Sequence, residues 1–516
     1  MGRFLGRAVD ALCTRKGVVA ALFALWLVHL FGNAVHIAVD DRGTQLVDSA
    51  NQLDFVYQYP AGLHHAGLAA LWQEMRSTGE QWPPLVHVVL GTLAALINPS
   101  LPAVRLYNLV FLAVLIVGAY RLGSRAAGPR AGLLAATLCS FLPALYGLSR
   151  QVGLDFPAAA MVVLGVDALV ATEGFRRRRA ALVAGVVIAL AVLTRGQCLF
   201  FLVGVGLLEL VRGRRQPGAA LVNAALCLAI VAAISAVWWW GRLEHLFATI
   251  QVHGDARRLP LEGDPTLLGG VWLYLGGLYL LTSAPLLALL APLAAHGVVR
   301  CRKVRWVLLA WLSVPLLIHL LLAVRNLRYL VPLLPALAIG ATVGVLELRR
   351  AWVRRAGVAA LLVLSLGLWC LCPADPDDAH VEACCGHAGL NRTAGPDGVA
   401  GAARRLAARL GPRPGGSGPA VLMLAYRDRF GPLIETAAHI RSALPHLVLH
   451  NPDRGQPRWQ QLATRRARAR FLLTASKERP PEPLRRLATV SFQQNGRRET
   501  LHLWQLSPDS DWVAPR

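Results

Sequence analysis

The chain has 516 residues, 55% of them hydrophobic and 16% charged, with a formal net charge of +24. Apolar runs long enough to cross roughly 30 Å of hydrocarbon recur through about residue 374, which excludes a soluble enzyme with a single anchor. The basic excess does not point to nucleic acid, because most arginines of the apolar part stand in short tracts between candidate spans.

After Arg15-Lys16, the segment Gly17 to Val39 is about one bilayer long and lacks a convincing small-x-small cleavage site before Asp40. It reads as a retained signal-anchor helix whose basic front stays in the cytoplasm. Residues 83–97 (PPLVHVVLGTLAALI) are apolar but short for a crossing of ~20 residues. Counting them as a span would place five basic tracts outside: Arg121/Arg125/Arg130, Arg176 to Arg179, Arg212/Arg214/Arg215, Arg300/Arg302/Lys303/Arg305 and Arg349/Arg350/Arg354/Arg355. A re-entrant or interfacial reading puts all five inside. The spans are then expected at 17–39, 104–121, 131–149, 156–173, 180–195, 197–211, 218–240, 269–297, 306–324, 329–347 and 356–373.

The fold class is therefore a polytopic α-helical membrane protein of about 11 transmembrane helices, residues 1–374, with a cytoplasmic N-terminus. Its first extracytoplasmic loop, 40–103, carries amphipathic stretches around Leu46 to Tyr59 and Leu63 to Met75, expected to lie on the membrane surface. Residues 375–516 fall on the outer side. Past a Gly/Pro linker from Gly411 to Pro419, strands are expected at Ala420 to Ala425, Leu447 to His450, Arg470 to Thr474, Val490 to Gln493 and Thr500 to Leu506. Helices near 431–443, 456–466 and 482–488 complete a small C-terminal α/β domain. GPRPGGSG has no strand before it and no helix after it, so it reads as a linker and not as a phosphate loop. Of the cysteines, Cys370, Cys372, Cys384 and Cys385 cluster at or beyond the last span, and a disulfide from Cys372 to Cys384 or Cys385 suits an oxidising compartment.

Charged residues at the outer ends of spans are the candidates for chemistry, because charge at the edge of hydrocarbon is costly. Asp40 and Asp41 end the first span; Arg150 and Asp155 follow the third; Arg195 sits between two spans with almost no loop; Arg325 and Arg328 join the ninth to the tenth. Guanidinium forks match the oxygens of a lipid-linked phosphate, and a carboxylate can deprotonate an acceptor. The combination suggests transfer of a sugar from a polyprenyl phosphate, with phosphate as leaving group and no nucleotide. A helix N-cap is the other reading of Asp40-Asp41, and snorkelling is the other reading of any single arginine.

The order of these pieces resembles the GT-C membrane glycosyltransferases, particularly the protein O-mannosyltransferases of glycosyltransferase family 39 and the lipid A aminoarabinose transferases. The resemblance rests on Asp40-Asp41, Trp82-Pro83-Pro84-Leu85, Arg105-Leu106, Asp155 and Arg328-Tyr329-Leu330-Val331-Pro332-Leu333-Leu334-Pro335, in that order over residues 17–347. It implies that Asp40 is a general base, with Asp41 where the family usually has Glu, that Asp155 is a second acid near the reaction centre, and that Arg328 and Arg325 bind donor phosphate. Trp82 replaces the family's usual His, and His87 follows inside the segment.

A divalent metal held by His36, His64, His65 or His87 with Asp40 or Asp41 stays an open option, since no spacing fixes a ligand set. The expected partners are a polyprenyl-phosphate-linked sugar donor (hexosyl or pentosyl), a lipid, glycan or protein acceptor, and membrane lipids. The expected location is the bacterial cytoplasmic membrane, from the preponderance of Arg over Lys and the abundance of Ala and Gly. A transporter or flippase of lipid-linked sugars is the alternative; it should show paired broken helices in matching halves.

Overall fold

The computed structural model describes residues 14–37, 52–53, 55–60, 63, 67–69, 72, 82–242, 267–321, 327–371 and 406, together with five strands between 421 and 505. In chain order the helices are α1 (Arg15–Val35), α2 (Leu85–Leu96), α3 (Leu101–Tyr107), α4 (Leu109–Ala127), α5 (Pro129–Ser140), α6 (Pro143–Ser149), α7 (Asp155–Ala171), α8 (Arg178–Thr194), α9 (Cys198–Arg212), α10 (Pro217–Trp239), α11 (Leu267–Thr282), α12 (Ala284–Arg300), α13 (Arg305–Leu321), α14 (Leu334–Leu346) and α15 (Ala351–Leu371). A 3-10 segment, Leu327–Leu333, leads into α14. The chain divides into two units, one of Met1–Asn33, Asn108–Arg150 and Leu154–Ala388, the other of Ala34–Tyr107, Gln151–Gly153 and Gly389–Arg516.

The first unit is a helical bundle. Among the described residues five helices are long and apolar enough to cross a membrane, or seven spans if each bent pair counts as one. Nearly every residue of α7 and α14 is buried, so these two lie at the centre. By contrast α1, α10 and α15 turn large apolar side chains outward, among them Phe31 (71% exposed), Leu228 (67%) and Val363 (69%). In water such surfaces would be a liability; in lipid they are the solvated face.

Without a hydrophobic drive between helices in lipid, backbones must approach closely for dispersion to hold them together. Gly340 and Gly344 are four apart on α14, and Gly297 faces them from α12. A Cβ at Gly344 would run into the Leu293 carbonyl, and one at Gly297 into the Gly340 carbonyl. Gly344→Leu should therefore destabilise the bundle by about 1–3 kcal/mol or more through overpacking, read as a lowered unfolding temperature in detergent; an unchanged transition would mean that this crossing is not tight.

Two elements expected as continuous helices are broken. Residues 131–149 divide into α5 and α6, bent by 64°, because Pro143 lacks the amide a continuing helix needs and Leu142 takes an extended backbone. Residues 269–297 divide into α11 and α12, bent by 108°, where Ser283 has φ 75° and Pro285 starts the next helix. The expected spans at 156–173, 180–195 and 197–211 are helices of 17, 17 and 15 residues, about 22–25 Å long at 1.5 Å per residue.

In the second unit α2 has 12 residues, or about 18 Å, short of a full crossing. A helical stretch at 55–60 packs on it: Tyr59 lies over Gly91, where a Cβ would come within 2.7 Å of the tyrosine. His87 Nε2 donates to Gln52 Oε1 at 2.5 Å, with the Phe55 ring 5.3 Å away.

The same unit holds a five-stranded mixed sheet in the order β2-β1-β3-β5-β4, formed by β1 (Val421–Leu424), β2 (Val448–His450), β3 (Phe471–Ala475), β4 (Arg485–Gln494) and β5 (Arg497–Gln505). β1 runs parallel to β2 and β3, whereas β5 pairs antiparallel with both β3 and β4. One expected element is corrected here. The stretch 485–488, read as the end of a helix, opens β4, because ladder pairing of Arg485 with Gln505 and Arg486 with Trp504 overrides local helix preference. The other two tail helices, the linker and the proposed disulfide partners Cys372, Cys384 and Cys385 lie outside the described residues.

Candidate functional site

Asp155 is the first residue of α7, where unpaired helix amides and the helix dipole favour a negative charge. Arg195 caps the C-terminal end of α8 with an extended backbone (φ −162°, ψ 125°). Because α7 and α8 are consecutive and antiparallel, the start of one lies level with the end of the other. Arg195 Nη1 donates to Asp155 Oδ1. Arg328, in the 3-10 segment that follows α13, brings its Nη1 to 3.9 Å from Asp155 Oδ2. Three residues separated by up to 173 positions thus share one carboxylate, and the cluster carries a net charge of +1.

Aromatic rings support it. The Arg195 guanidinium lies over the Tyr329 ring at 5.3 Å, a contact that fixes its plane. Behind Tyr329, at 5.5 Å, stands the ring of His319 from α13. Its Nδ1 donates to the Pro315 carbonyl one turn earlier at 2.7 Å, and among the described residues its buried Nε2 meets no partner. His319 was not singled out from the sequence, although a histidine inside an apolar span is itself a signal.

Arg150 is held by a different set of side chains. Its Nε donates to Asn33 Oδ1 at 3.2 Å, and its guanidinium lies 5.1 Å above the Tyr146 ring. Asn33 in turn donates to Ser149 Oγ at 3.1 Å, so Arg150 braces α1 against α6. Of the candidates, the structure brings together Asp155, Arg195 and Arg328; Asp40, Asp41 and Arg325 lie outside the described residues, as do His64 and His65.

The cluster suits an anion better than a cation. Both Asp155 oxygens face guanidiniums, which would repel a divalent ion. Among the described residues no group of three His, Cys, Asp or Glu is placed to hold a metal. The side chains of Arg195 and Arg328 are 21% and 25% exposed, buried enough to lose part of their hydration and open enough to meet a ligand at the helix ends. Two guanidiniums in that setting offer charge-assisted hydrogen bonds to phosphate oxygens.

Residues 81–240 match the family model of the dolichyl-phosphate-mannose-protein mannosyltransferases. The match takes in Trp82-Pro83-Pro84, Arg105 and Asp155 but stops short of Arg328. No curated protein matches the chain at a significant level. Among solved structures, ArnT from Cupriavidus metallidurans bound to undecaprenyl phosphate aligns with a TM-score of 0.62 at 14% identity, over 95% of this chain and 98% of that one. The same protein in its apo state gives 0.61 at 14% identity, over 94% and 98%. The chain is similar in fold to ArnT over nearly its whole length.

Proposed function

We propose that the chain is a glycosyltransferase that moves a hexose or pentose from a polyprenyl-phosphate carrier to a lipid, glycan or protein acceptor at the outer face of the bacterial cytoplasmic membrane. The observation that carries this reading is the Asp155–Arg195–Arg328 cluster at one end of the central helix. The family match over residues 81–240 and the likeness to ArnT, whose crystal structure holds undecaprenyl phosphate, support the same donor class.

In this reading Arg328 and Arg195 hold the donor phosphate. The bond between sugar C1 and the phosphate oxygen breaks, its electron pair leaves with the phosphate, and the acceptor oxygen or nitrogen bonds to C1. Guanidiniums already aimed at the phosphate stabilise the charge that builds there without reorganising. Asp155 acts through the arginines, fixing where their donors point, and Asp40 or Asp41 takes the acceptor proton. Binding of undecaprenyl phosphate to the purified chain in nanodiscs tests the donor site. Arg195→Gln should weaken it about 10- to 100-fold, the worth of one or two charge-assisted bonds; unaltered affinity would remove Arg195 from the site.

The topology belongs to the same proposal: eleven crossings, with the broken residues 269–297 counted once, a membrane domain at 1–374, an outer α/β domain at 375–516 and the N-terminus in the cytoplasm. Cysteines placed singly at 155 and at 178 should differ, the first reacting with an impermeant maleimide from outside and the second only after permeabilisation. Outside labelling at 178 would invert the orientation. The two bent pairs, α5–α6 and α11–α12, are what a flippase would also use, but the charged cluster sits at helix ends and not at either break.

A further inference from the structure

The far end of α7 carries a second charged cluster. Asp167 lies twelve residues after Asp155 on the same helix, about 18 Å along it, and is 1% exposed. A carboxylate buried so deeply needs counter-charge. It receives two, both from α4: Arg121 Nε at 2.6 Å from Oδ2 and Arg125 Nε at 2.7 Å from Oδ1. The arginines are four apart, one turn of one helix face, and α4 touches α7 just before them, where a Cβ on Gly118 would come within 2.9 Å of Val163 Cγ1.

One arginine would neutralise Asp167; the second leaves a surplus. Each is engaged through Nε to one Asp167 oxygen, and the two side chains are 50% and 37% exposed. Arg179 of α8 lines the same place. Three guanidiniums against one carboxylate give a net charge of +2. Arg121, Asp167 and Arg179 border a groove of about 290 Å³ between α7 and α8, walled otherwise by Leu164, Ala168, Ala171, Ala180, Val183 and Val187; Arg125 reaches it only through the carboxylate it shares with Arg121. Its alanines leave room, and its wall offers no polar side chain apart from the charged cluster. Arg121 and Arg179 border an apolar groove on a lipid-facing bundle, an arrangement that matches a ligand with an anionic head and a hydrocarbon tail.

We infer that Arg121, Arg125 and Arg179, with the groove between α7 and α8, bind the phosphodiester head and an acyl chain of an anionic phospholipid in the leaflet opposite the Asp155 site. Asp167 is the positioning residue: it holds the α4 arginines so that their Nη groups meet the phosphate, and this explains a buried acid that the transfer chemistry does not use. The site is separate from the donor site, and the inference stands whether or not the chain transfers sugar.

Native mass spectrometry of the full chain released from detergent micelles, with phosphatidylglycerol, phosphatidylethanolamine or inorganic phosphate added, tests it. The wild type should retain one phosphatidylglycerol at tenfold or greater preference over phosphatidylethanolamine, and millimolar inorganic phosphate should not displace it. Arg179→Gln, which leaves the Asp167 ion pairs intact, should lower retention several-fold, and Arg121→Gln with Arg179→Gln at least tenfold. An unfolding temperature in detergent equal to that of the wild type in both variants shows that they are folded. Equal retention by the double variant, equal binding of the two phospholipids, or displacement by inorganic phosphate would each overturn the inference.

Discussion

Arg328→Gln is expected to lower sugar transfer by about 100- to 1,000-fold, the usual cost of losing one donor aimed at charge that develops in the transition state. The geometry gives the reason. Arg328 approaches Asp155 at 3.9 Å, a looser approach than that of Arg195, which hydrogen-bonds the same carboxylate and lies over Tyr329. Arg328 is expected to act on the charge that builds on the phosphate as it leaves, so its effect should fall mainly on kcat. Arg195 is more firmly fixed and should show in binding as well. Arg328→Lys keeps the charge but loses the planar fork, so it should recover only part of the rate. A full rate with Arg328→Gln would show that the leaving phosphate is neutralised elsewhere.

The second large effect is expected at the acid pair. Asp40→Asn and Asp41→Asn, made singly, should separate the base from its neighbour. One of them should lose roughly 10²- to 10⁴-fold in transfer, the usual worth of a positioned general base, while expression, membrane insertion and undecaprenyl phosphate binding stay at wild-type levels. The intact donor binding marks the loss as one of proton transfer. Full activity in both variants would remove Asp40 and Asp41 from proton transfer.

The sequence was most informative where charge met the ends of apolar segments. Counting spans put Asp155, Arg195 and Arg328 on one level, and the structure joins these three residues through one carboxylate. Periodicity was silent on breaks. Pro143 and Ser283 stand inside continuous apolar runs, where hydropathy gives no sign that the backbone turns, although proline alone was a physical warning. Strand β4 was missed over 485–488 because its ladder partner lies in a later segment, and local preference carries no knowledge of that partner. Asp167 shows a different limit. Its arginines, Arg121 and Arg125, were legible as a topology signal, and that sufficient explanation hid the buried acid on another helix that both of them hold.

The most direct measurement is a mass-spectrometric profile of envelope lipids and glycans from a strain lacking this chain, complemented with the wild type or with Arg328→Gln. The account expects one sugar substituent to disappear and its polyprenyl-phosphate-linked precursor to accumulate, with the profile restored by the wild type and not by Arg328→Gln. An unchanged profile in the deletion strain, or full restoration by Arg328→Gln, would contradict it.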